Sequence, residues 1–184
     1  MPTYELILLI AVFLATSFVG VVTGSNSLIA VPVMFQFGVD PKVAVATNMF
    51  GLVFMSVGGT IPFLRKGTID IRKVSPLLLL TLISSAIGAA MVGMISDTSI
   101  KLIVSVAMIL VAVFILIKRD SGVDQLQPVS RRSMAITFVL TFLLGIYGGI
   151  FSGGYVTVLT TVLVAFFSMK FSEAVASTKL INVV

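Results

Sequence analysis

Long apolar stretches alternate with short polar interruptions along this chain, and the lengths of the two define its elements. Residues 6–22, 43–64, 76–95, 100–117 and 134–152 each approach the roughly 20 residues that a helix needs to cross a bilayer. Two further apolar runs, 28–37 and 155–167, are too short for a full crossing. The pattern predicts that each is re-entrant or half of a broken helix. Pro32 interrupts the first of them, and Gly38-Val39-Asp40-Pro41 closes it as a turn. There Asp40 is suited to cap the next helix, with Pro41 at its first position. A last helix opens at Phe171, and the chain stops at Val184 inside it.

The elements recur. Gly20-Val-Val-Thr-Gly24 matches Gly149-Ile-Phe-Ser-Gly153, and Ala44-Val-Ala-Thr-Asn48 matches Ala174-Val-Ala-Ser-Thr178. The order of parts is the same in both copies: a helix ending in Gly-xxx-Gly, a polar break, a short apolar run, a polar turn, and a helix opening with Ala-Val-Ala. Paired, unusually short apolar segments at matching places in two halves mark the binding site of many transporters. Residues 1–117 read as the first repeat and 133–184 as the start of a second, truncated one, so the chain reads as a portion of a longer protein. The fold class expected is all-α: a polytopic helical membrane protein with two repeats, each holding a broken or re-entrant short helix.

Composition agrees with this. Of 184 residues, 58% are hydrophobic and 10% charged, against roughly 25% charged in a soluble domain. That excludes a disordered chain and makes lipid the solvent for most of the surface. The net charge of +5 comes from 12 Lys and Arg against 7 Asp and Glu. Its positives concentrate in residues 65–73 and in a loop at 118–132, which is how cytoplasmic loops look and not how a nucleic-acid surface looks. Two spans separate these basic segments, so they share a side, and residues 96–98 fall on the other. The first run opens with Glu5 and lacks the positive start of a signal peptide. With the N-terminus outside, the two repeats are inverted.

Candidate chemistry sits at the breaks. A helix that starts within the membrane leaves its first N–H groups unpaired, and its dipole favours an anion there. Gly24, Ser25, Asn26, Ser27 and the pair Gly153, Gly154 form such breaks. Gly20, Gly24, Gly145, Gly149 and Gly153 fit close helix packing equally well. On the last helix Thr178, Lys179 and Asn182 fall within about 100° of arc. Lys179 is the cation set deepest in a span, and an ionisable residue at depth is a functional candidate by default. In the first repeat Asn48 takes the place of Thr178, and Met49 that of Lys179.

These residues resemble the sulfite exporter TauE/SafE family. The matching features are Gly24-Ser-Asn-Ser-Leu-Ile-Ala-Val-Pro32, Ala44-Val-Ala-Thr-Asn48, Arg65-Lys-Gly67 followed by Ile69-Asp70, and Glu173-Ala-Val-Ala-Ser-Thr178-Lys179-Leu-Ile-Asn182. The resemblance implies secondary export of sulfite, organosulfonates or other small sulfur-containing anions across the cytoplasmic membrane.

The substrate-binding set expected is therefore Gly24, Ser25, Asn26, Ser27, Asn48, Gly153, Gly154, Thr178, Lys179 and Asn182. The expected partners are the anion, the bilayer and a coupling ion, H+ or Na+. No cofactor or metal is expected, nor nucleic acid. The chain has no Cys and no His, which removes catalysis that depends on either. Its Asp residues fall in loops or at helix ends, unlike a membrane aspartyl protease. No Gly-xxxx-Gly-Lys phosphate loop is present, so ATP is not the expected energy source. A cation or metal transporter, or a non-transporting subunit, is the alternative, and it lacks the mid-span carboxylates such pathways use.

Overall fold

The computed structural model describes residues 3–23, 26–117 and 130–184. Among these there are eight helices and no strand: α1 Thr3–Thr23, α2 Ser27–Gln36, α3 Pro41–Arg65, α4 Ile71–Val92, α5 Asp97–Ile117, α6 Arg131–Ile150, α7 Tyr155–Phe166 and α8 Phe171–Ile181. Four of them, α3 to α6, are long and apolar enough to cross a membrane. Most of the loop expected at 118–132 lies outside the described residues, as do Gly24 and Ser25.

Local chemistry sets the helix boundaries. Asp40 accepts hydrogen bonds from the N–H groups of Lys42 and Val43, with Pro41 opening α3. Asp70 does the same for α4 through Lys73. Helix α4 therefore starts at Ile71, a turn before the apolar run at 76, and carries Arg72 and Lys73 in its first turn. Pro76 sits inside it and leaves the Arg72 carbonyl without its helical donor. The Ser75 hydroxyl donates to that carbonyl at 3.2 Å. Similarly, α5 begins at Asp97, within the segment expected to be a loop, because an acidic residue suits a first helical turn.

The two ends of the bundle are identified by polar contacts. At one end Lys42 Nζ donates to the Gly93 carbonyl at 3.4 Å, so the α2–α3 turn lies beside the end of α4. At the other, Lys73 Nζ donates to the Ser168 carbonyl at 3.4 Å, which places the α7–α8 turn beside the start of α4. Ser133 Oγ donates to the Phe166 carbonyl and brings the start of α6 to that end too. The backbone is left-handed at Gly38 in the first turn and at Ser168 in the second.

Small residues bring α4 and α6 into close contact. A Cβ built on Gly88 would collide with the Ile146 carbonyl oxygen, and one on Gly149 with that of Ser85. Gly145 likewise faces Ser84. The bundle has two apolar cores. One joins α1, α2, the start of α3 and α5 through Leu9, Val31, Met34, Val45, Ile100 and Val104. The other joins α4, α7 and α8 through Leu77, Leu159, Leu163, Ala174 and Ile181. Phe18, Phe50, Phe54, Leu79, Ile83 and Leu110 are exposed, which suits a surface facing lipid tails.

Candidate functional site

The short helix α2 returns alongside α1, and α7 returns alongside α6. Each begins inside the bundle, and the start of α2 meets the α6–α7 break. Ser27, the first residue of α2, shares a hydrogen bond of 2.6 Å with Ser152, which lies 125 positions away in the α6–α7 break. Asn48 on α3 donates through Nδ2 to Ser27 Oγ at 2.7 Å. All three side chains are buried, Asn48 at 1% exposure. Asn26 donates to Ser17 Oγ at 3.3 Å. The carbonyl oxygens of the Asn26 and Asn48 side chains are buried without hydrogen-bond partners.

The second break is held in shape by its own residues. Tyr147 donates its hydroxyl proton to the Gly153 carbonyl. Gly154 caps α7 with a φ of 77°, in the left-handed region where glycine is favoured. A Cβ on Gly153 would meet Phe151 and the Leu28 side chain of α2, so glycine here lets α2 approach the break. Gly153 and Gly154 thus shape the junction, and Gly145 and Gly149 serve the α4–α6 contact.

A cavity of about 280 Å³ opens beside this junction, between α3, α4, α6 and α8. Met49, Leu52, Val53, Leu82, Ala86 and Ile181 supply apolar wall, and Thr81, Ser85, Ser152, Tyr155 and Asn182 supply polar groups. Tyr155 and Thr81 are each 3% exposed. Thr81 stands within hydrogen-bonding reach of the Tyr155 hydroxyl, and neither oxygen has another partner among the described residues.

The residues expected on one arc of α8 divide between neighbours. Thr178 faces α7, with its hydroxyl 3.1 Å from that of Thr160. Lys179 and Asn182 face α3. Asn182 Nδ2 donates to Ser56 Oγ at 2.7 Å. The Lys179 stem lies against Gly59, where a Cβ would stand 3.3 Å from its Cδ and 3.6 Å from Nζ. Lys179 is 8% exposed. Gly59 is about 16 Å along α3 from Asn48, at 1.5 Å per residue. The structure therefore unites Ser27 and Asn48, brings Asn182 to the cavity, and seats Lys179 nearer the Arg65 end of α3 and outside the cavity lining.

Comparison with known proteins decides the family. The model of the sulfite exporter TauE/SafE family matches residues 8–184. The chain belongs to that family. A probable membrane transporter protein, ORF9, of a Sinorhizobium species is 26% identical over 133 residues, covering 72% of this chain and 51% of that protein. The probable membrane transporter YfcA of Escherichia coli K12 is 23% identical over 129 residues, covering 70% of this chain and 47% of YfcA. A Haemophilus influenzae probable membrane transporter is 26% identical over 87 residues, covering 47% and 34%. The chain thus spans about half the length of the curated relatives it matches. No solved structure matches it at a significant level.

In this TauE/SafE chain the junction and cavity also include residues that the sequence pattern did not single out. Ser152, Tyr155, Thr81 and Ser56 sit in helices or breaks rich in similar small polar residues. Only their places in the folded bundle set them apart. One signal was available: Tyr155 is the single tyrosine of a short helix otherwise made of aliphatic residues, threonines and Phe166.

Proposed function

We propose that this TauE/SafE chain is part of a secondary transporter, not an enzyme, which exports small sulfur-containing oxyanions of the sulfite or organosulfonate class across the cytoplasmic membrane. The observation that carries this reading is the meeting of the N-terminal ends of α2 and α7 at the Ser27–Ser152 hydrogen bond. Two helix starts directed at one buried point offer two positive dipole ends to an anion.

The reading includes an inverted repeat. Helices α3 and α8 open 130 positions apart, and so do the left-handed residues Gly38 and Ser168. Their turns lie at opposite ends of α4. Gly59 pairs with Lys179 and Ser56 with Asn182, so α3 and α8 run antiparallel. These facts support two copies related by an axis in the membrane plane, with the substrate between them.

The end holding Arg65, Lys66, Arg72 and Lys73 is cytoplasmic in this reading, by the positive-inside rule. Lys179, buried about 9 Å in from Arg65 along α3, draws the anion from that end towards the cavity. A gradient of H+ or Na+ drives transport. The test is an efflux assay with the full-length protein in proteoliposomes, across sulfite, thiosulfate and alkanesulfonates. At least one should be carried, with dependence on an imposed H+ or Na+ gradient. Transport of cations together with none of these anions would overturn the reading.

A further inference from the structure

The junction of Ser27, Ser152 and Asn48 is closed, yet its hydrogen-bonding capacity is only half used. The two serine hydroxyls are 2.6 Å apart, so nothing fits between them. Asn48 bonds to Ser27 through one end of its amide, and the other end is buried without a partner. Two hydroxyls and one amide carry four donor protons, and the two bonds among these groups use two of them. That count is the same whichever way the amide is turned. Two donors are therefore left over among the described residues, in side chains that are all more than nine-tenths buried. Buried polar groups seldom stay unused. Ser152 also lines the 280 Å³ cavity, so the spare donors stand at its border.

The surroundings fix the kind of ligand. Helix α2 starts at Ser27, and α7 starts three residues after Ser152. Donor protons beside two positive dipole ends suit an oxyanion that has shed its water. For both serines to hold one oxyanion, each hydroxyl must stand about 2.7 Å from an anion oxygen. The hydroxyls must then part to roughly 5 Å. The chain beside Ser152 is built for such a movement, because Gly153 and Gly154 follow it directly and Gly154 already has a φ of 77°. Without an anion the serines satisfy each other, as groups cut off from water must.

We infer that the Ser27–Ser152 hydrogen bond is a latch opened by the transported anion, which displaces the bond and takes both hydroxyls as donors. Asn48 keeps Ser27 in place and offers its free amide end to the same ligand. Ser152 thereby becomes a substrate-binding residue. This rests on the anion-transport reading above and adds how its site opens.

The experiment uses the full-length transporter carrying Ser27→Cys and Ser152→Cys and no other cysteine. Hydroxyls this close place the two Cβ atoms near disulfide range. With copper phenanthroline as oxidant, the disulfide should form readily in chloride. Methanesulfonate or sulfate at equal ionic strength should slow its formation at least about fivefold. Sulfite is unsuitable in this arm because it cleaves disulfides. In proteoliposomes the oxidised protein should export these anions at least about tenfold more slowly than the same protein reduced with dithiothreitol. Ser152→Ala gives a reading that needs no disulfide. It should raise the half-saturation concentration for sulfite efflux by about tenfold, equivalent to about 1.4 kcal/mol, where a packing role alone would leave that concentration level. Equal rates of disulfide formation in all three salts, or equal efflux by oxidised and reduced protein, would overturn the latch. An unchanged half-saturation in Ser152→Ala would overturn the assignment of Ser152. In each of these cases efflux by the unmodified protein leaves the anion reading standing. Absence of sulfite, methanesulfonate and sulfate efflux from the unmodified protein would overturn the anion reading itself.

Discussion

At the scale of single residues, several buried polar side chains are explained by what each one touches. In a bilayer an unpaired buried hydroxyl or amide has no water to turn to. Ser27 resolves this by bonding to Asn48 and to Ser152 at once, and Asn182 by bonding to Ser56. The Lys179 stem lies across the bare backbone of Gly59. A methionine there keeps most of that apolar contact and loses the charge. Lys179→Met should therefore fold with little change in thermal stability, and its export rate should fall by about tenfold, the effect of losing about 1.4 kcal/mol of attraction along the route. Efflux and thermal denaturation measured on the same preparation check both parts. Normal efflux in the Met variant would reduce Lys179 to a packing residue.

At the scale of helices, packing tolerances differ sharply from one glycine to the next. Gly88 on α4 has the Ile146 carbonyl where its Cβ would go, whereas Gly58 on α3 has nothing within 4 Å. Gly88→Val should push α4 from α6, costing about 1–3 kcal/mol or more, as overpacked interiors do. Gly58→Ala should leave stability level or slightly raised, since alanine is the better helix former. Melting temperatures of the detergent-solubilised variants separate the two cases, and equal melting would show that α4 and α6 do not rely on the close approach. The helices themselves were legible in the sequence because apolar runs, Asp caps and Pro41 are local signals. The starts of α4 and α5 were not, because Asp70 and Asp97 carry helix into polar segments that hydropathy assigns to loops. The site was legible to the same extent. Ser27 and Asn48 stood out as polar residues in apolar surroundings. Ser152, Tyr155 and Thr81 did not, because their significance comes from contacts and space that only the folded bundle creates. The separation of Lys179 from Asn48 was hidden for the same reason. Equivalent positions on two helices say nothing of distance until their crossing is known.

At the scale of the whole molecule, the claim most open to a direct test is the opposed orientation of the two halves. The contact of Lys42 with Gly93 and that of Lys73 with Ser168 put the α2–α3 and α7–α8 turns at opposite ends of α4. If the basic residues 65–73 face the cytoplasm, the α7–α8 turn faces it as well and the α2–α3 turn faces outward. The chain has no cysteine, so single cysteines report without background. Gln36, Thr98, Lys66 and Ser172 are all exposed; Gln36 and Ser172 flank these turns, Lys66 lies in the α3–α4 turn and Thr98 at the start of α5. In intact cells a membrane-impermeant thiol reagent should label Gln36→Cys and Thr98→Cys. Lys66→Cys and Ser172→Cys should react only after the membrane is opened. Labelling of Gln36→Cys and Ser172→Cys from the same side would make the repeats parallel, and the two short helices would then enter the membrane from one face. The junction at Ser27 and Ser152 requires entry from both. This pattern of labelling therefore tests the geometry on which the anion site depends, without any knowledge of the substrate.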